Sequence, residues 1–77
     1  MIAVIVQTTD PHRQAEALRA ALGLTLRGAR VEVIVHAPLV SPLARRAADT
    51  LVSFGHRVGA GSIAEAIRSA KAIEVWT

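Results

Sequence analysis

Short apolar runs alternate with alanine-rich segments opened by capping residues, and this alternation runs along the whole chain. Ile2–Val6 (IAVIV) is a continuous apolar run, β-branched except at Ala3. That is the pattern of a strand covered on both faces. Asp10-Pro11 then supplies an N-cap and a proline at the first helical position, where its missing N–H costs nothing. From Pro11 to about Arg27, Leu18, Leu22, Thr25 and Leu26 recur at helical spacing beside Ala15 and Ala21, and Ala17 and Leu24 widen the stripe. Gly28 fits as the terminator.

The pattern then repeats. Arg30–His36 (RVEVIVH) alternates as a strand, with Val31, Val33 and Val35 on one face and Glu32 and Ile34 on the other. Ser41-Pro42 is a second cap-plus-proline start. It leads into a stripe of Leu43, Ala44, Ala47, Ala48, Leu51 and Val52, closed by Gly55. His56-Arg57-Val58 reads as a short third strand. Ser62-Ile63-Ala64-Glu65 has the form of a capping box. It opens a third helix with Ile63, Ala66, Ile67 and Ala70 inward. Ala72–Thr77 (AIEVWT) reads as a last strand.

The order βαβαβαβ implies a single α/β domain over residues 1–77, with a small open parallel sheet of about four strands and helices on both faces. Strand order 2-1-3-4 satisfies the pattern. It places one helix on one face and two on the other. It also puts the loop after strand 1, Gln7–Asp10, beside the loop after strand 3, Gly59–Ser62. Open α/β sheets bind ligands at the carboxyl ends of strands flanking such a switch point.

Composition narrows the function. The chain has no cysteine, which removes disulfides and thiolate metal sites. His12, His36 and His56 match no zinc spacing, and no cofactor is expected. A domain of 77 residues gains stability margin from a disulfide, a metal or a partner. With 52% hydrophobic residues, association with other subunits is the remaining device. Eight of the nine basic residues are arginine, and they are scattered, with only Arg45 and Arg46 adjacent. Phe54 and Trp76 are the only aromatics, so no stacking platform for bases exists and nucleic acid is not the expected partner. MIAVIV is too short for a signal-peptide core or a membrane span, which leaves a cytoplasmic protein without membrane contact as the expectation.

Two groups of residues are candidates for a site. Gly59 and Gly61 allow close backbone approach or positive φ, and Ser62 adds a hydroxyl at a helix start, a setting for a small anion. The plainer reading is a tight turn with Ser62 capping its helix. The dinucleotide fingerprint GxGxxG is absent. Thr8, Thr9 and Asp10 present donors and acceptors at the same mouth, or simply cap the first helix. Together these six residues define a possible pocket for a phosphate-like or nucleotide group. His12 beside Asp10 offers an acid/base pair, but no nucleophile accompanies it, so an enzyme is the least favoured reading. Trp76, in a last strand with no helix after it, is either packed against the third helix or an interface anchor.

MIAVIVQTTDP, ALRAALGLTLRGARVEVIV and AEAIRSAKAIEVWT together resemble the DsrE/DsrF/DsrH-like family, whose members include sulfur-relay subunits. The resemblance covers nearly the whole chain. It implies a DsrE-like fold and assembly into dimers, trimers or hexamers, with itself or with related subunits. Sulfur-carrying members use a cysteine, and here Val58-Gly59-Ala60-Gly61 stands in that neighbourhood. A persulfide requires a thiol, so the resemblance implies a non-catalytic scaffold or accessory subunit linked to sulfur metabolism. Small-ligand binding at the two loops is the alternative.

Overall fold

Three polar side chains start the three helices of the computed structural model, which describes Met1 to Thr77. Asp10 Oδ1 accepts from the backbone N–H of His12 at 3.0 Å and opens α1 (Pro11–Leu26). Ser41 Oγ accepts from Ala44 N–H at 3.0 Å and opens α2 (Pro42–Ser53). Ser62 Oγ accepts from Glu65 N–H at 3.3 Å and opens α3 (Ile63–Ser69), so the serine half of the expected capping box forms. Gly28 and Gly55 follow α1 and α2 at φ +87° and +88°, the left-handed turn that glycine supplies cheaply.

The strands are β1 (Ile2–Val6), β2 (Val31–Val35), β3 (Arg57–Gly59) and β4 (Ala72–Trp76). All pairings are parallel, and the order is β3-β2-β1-β4. The α/β fold class with a four-stranded open parallel sheet is therefore correct. The expected order 2-1-3-4 is not. Right-handed crossovers force helices made while the chain steps in one direction onto one face, and the returning helix onto the other. Steps from β1 to β2 to β3 accordingly put α1 and α2 together, and the return to β4 puts α3 alone on the opposite face.

The two faces are unequally covered. On the α1/α2 face, Val4, Val6, Val31 and Val33 meet Ala17, Leu18 and Ala21 of α1 and Ala47, Ala48 and Leu51 of α2. The alanines let the two helices lie close together over the sheet. On the other face, Ala66 of α3 packs with Ala3 and Ile34, flanked by the partly buried Met1, Ile63 and Ala70. Ile67, expected inward, is half exposed, because a helix of seven residues spans too little of the sheet to bury two turns. Leu26, Leu43 and Val52, also assigned to apolar stripes, are exposed on the outer flanks of their helices.

Candidate functional site

The reversal of strand order falls between β1 and β4, not between β1 and β3. Gln7–Asp10 therefore lies beside Trp76, and β2 separates it from Gly59–Ser62. The six candidate ligand residues do not form one mouth.

The loop after β1 is occupied by the protein's own bonds. The Trp76 carbonyl accepts from the N–H groups of Gln7 (2.8 Å) and Thr8 (3.1 Å). Thr8 Oγ1 accepts from Asp10 N–H at 3.1 Å, and the Asp10 carboxylate caps α1. Only Thr9 keeps an N–H without an internal acceptor. Behind the loop lies Gln14, fully buried, which sequence reading did not select. Its Nε2 donates to the carbonyls of Thr8 and Pro38, each at 3.1 Å, and its Oε1 accepts from Val40 N–H at 3.3 Å. The crevice between the loops after β1 and β2 is thus filled by one side chain. A glutamine at the fourth position of an amphipathic helix carries little signal, since such positions are ordinarily solvated.

Trp76 packs against the large core on the α1 face, not against α3. Register decides this: Trp76 pairs with Val6, whose side chain faces α1 and α2. The Arg13 guanidinium carbon lies 5.4 Å from the ring centroid, and Arg13 Nε donates to the Thr77 carbonyl at 3.0 Å. Trp76 Nε1 donates to Glu74 Oε1 at 2.8 Å. The large exposed side chains of this strand are instead Ile73 (42%) and Val75 (52%), on the α3 face.

The Gly59–Ser62 turn stands at the far edge of the sheet. Gly59 and Gly61 do not adopt positive φ. A Cβ at Gly59 would meet nothing within 4 Å, and one at Gly61 would lie 3.7 Å from Ile34 Cγ1, an ordinary contact. The turn's N–H groups at Ala60, Gly61 and Ser62 have no internal acceptor. Beside it, a cleft of about 400 Å³ runs between α2 and β3. Val35, Val52 and Val58 line it with Arg45, Asp49 and the Gly59-Ala60 backbone.

The histidines stay apart. His12 Nε2 lies 3.2 Å from Glu16 Oε1 on the outside of α1. His56 Nδ1 accepts from Val31 N–H at 3.4 Å, a link between the start of β3 and β2. His36 is exposed just past the end of β2. No set of three histidine, cysteine or acidic residues is placed to hold a metal ion. No helix is long and apolar enough to cross a membrane.

The molecule is a small open parallel α/β domain with two bare sheet edges. No family model matches the chain, and no curated protein or solved structure shows significant similarity to it.

Proposed function

We propose that this chain is a non-catalytic accessory subunit of the DsrE-like kind, working through association at the edge of β4. The observation that supports this reading is the bare edge itself. In a parallel ladder, alternate residues turn both backbone groups to the same side. Because the Trp76 carbonyl faces β1, the N–H and C=O of Ile73 and Val75 face outward. Their side chains are half exposed on the thinly covered α3 face. Edge strands of monomers carry prolines, bulges or charges that block pairing, and β4 has no proline and pairs with β1 without a bulge. Its one charge, Glu74, lies on the opposite face, bonded to Trp76. The family resemblance and the missing thiol support a role beside a sulfur carrier rather than as one.

Light scattering over a range of micromolar concentrations tests this. The wild type is expected to run as an assembly, and a doubly substituted Ile73→Lys, Val75→Lys chain as a folded monomer. A wild-type monomer throughout, or a variant that assembles as well as wild type, overturns it.

A second reading, small-ligand binding, is favoured by the cleft between α2 and β3. Its volume is in the range of ligand sites, ~300–1,000 Å³, and neither Arg45 nor Asp49 is ion-paired within the chain. Calorimetric titration with inorganic phosphate and with adenine nucleotides tests it. Heat that disappears in Arg45→Ala supports it, and no heat in the wild type removes it.

A further inference from the structure

We infer that the strand received by β4 is the β4 of a second copy, antiparallel, with Val75 on the two-fold axis. This rests on the reading of β4 as the working edge. A two-fold axis through a sheet edge makes the two edge strands antiparallel and the contact self-complementary. It would join two four-stranded sheets into one.

The register follows from which backbone groups are free. In an antiparallel pair, residues that exchange hydrogen bonds must both face the partner. Here those are Ile73 and Val75, with Thr77 next in the alternation, its carbonyl also accepting from Arg13 Nε. Before them the alternation stops, because the Lys71 N–H turns inward and donates to the Met1 carbonyl at 2.8 Å. Two-fold pairing can then be centred on Ile73, Glu74 or Val75. Centring on Glu74 sets that carboxylate directly opposite its own copy, a destabilising like-charge pair. Centring on Ile73 sets Thr77 of the copy opposite Ser69, which is the last residue of α3 and out of the sheet.

Centring on Val75 avoids both conflicts. Val75 then faces Val75 of the copy, and Ile73 faces Thr77. Glu74 sits across from Trp76 of the copy, the indole over which that copy's Arg13 is stacked. Each carboxylate is thereby brought toward a guanidinium of the other chain, so charge complementarity favours this register among those the backbone allows. The apolar side chains of Val75 meet on the α3 face, where half of that side chain is otherwise in water.

The absence of native cysteine makes the test direct. Val75→Cys, Glu74→Cys and Ile73→Cys are each made in the full chain and oxidised under identical mild conditions. Directly opposed residues of a hydrogen-bonded pair have Cα atoms ~5.5 Å apart, within disulfide reach. Residues at 73 would be offset from each other by roughly 13 Å along the strands. Val75→Cys is expected to give a covalent dimer in at least tenfold excess over the other two. Dominant cross-linking at 73 or 74 overturns this register while leaving β4 as the association edge. An assembly that resists the double lysine substitution, with no cross-link at any of the three positions, overturns both.

Discussion

The side-chain amide nitrogen of Gln14 lies 3.1 Å from the carbonyl oxygen of Thr8, inside the protein and out of reach of water. The same nitrogen serves Pro38, and the amide oxygen serves Val40. One residue of α1 therefore ties down the loops that follow β1 and β2. Replacement by Leu keeps the volume but removes all three bonds and strands the buried Thr8 carbonyl, while Pro38 and Val40 are exposed residues that water reaches. An unmet buried group costs ~1–3 kcal/mol, so Gln14→Leu should lose about that much in urea unfolding. A loss below about 1 kcal/mol would show that water replaces the side chain.

Arg13 and Trp76 should behave as a coupled pair. Arg13→Ala removes both the stacked cation and the bond to Thr77. A double-mutant cycle with Trp76→Leu should give a coupling of about 0.5–1 kcal/mol, the range for an exposed cation–π pair. Zero coupling would mean that the arginine spends its time in solvent.

Glycine substitutions should sort by backbone conformation. Gly28→Ala and Gly55→Ala force an L-residue into the left-handed region at φ +87° and +88°, at a cost of roughly 1–2 kcal/mol each. Gly59→Ala has space around it and ordinary φ, and Gly61→Ala meets only an ordinary contact. Both should leave the thermal midpoint within ~2 °C of wild type, a change under about 0.5 kcal/mol. A large loss at either would reveal a constraint on that turn beyond its shape.

Association at β4 should appear in thermal unfolding. If assembly stabilises the fold, the wild-type midpoint rises with protein concentration, because mass action favours the bound state. The Ile73→Lys, Val75→Lys chain should show a midpoint independent of concentration. Amide exchange at Ile73 and Val75, whose N–H groups face outward, should slow as the wild type is concentrated.

The elements were legible because each carries its own punctuation. Asp10-Pro11, Ser41-Pro42 and Ser62 mark helix starts, and Gly28 and Gly55 lie just beyond helix ends. Strand order was not read correctly, since 2-1-3-4 and 3-2-1-4 use the same elements and the same crossover hand. A deciding signal was present all the same. Arg57-Val58-Gly59 is too short and too polar for an interior strand, whereas Ile2–Val6 is apolar on both faces and takes a central place. Placing β3 at the edge would have separated the two candidate loops from the outset. The exposed Ile73 and Val75 were hidden for a different reason. Alternation tells which residues share a face, but not whether a short α3 covers it.

Ile2 pairs with Ala72 and Val6 with Trp76, so the first strand in the chain takes its second neighbour from the last. β1 is an interior strand whose one flank can close locally, through α1 to β2, while the other must wait for nearly the whole chain. Loops that long close late and lower the folding rate. Until β4 docks, the hydrogen-bonding edge of IAVIV is bare, and on the ribosome that interval lasts through the synthesis of everything between. A cell making this protein would have to shield that edge, or outpace its aggregation, before β4 can cover it.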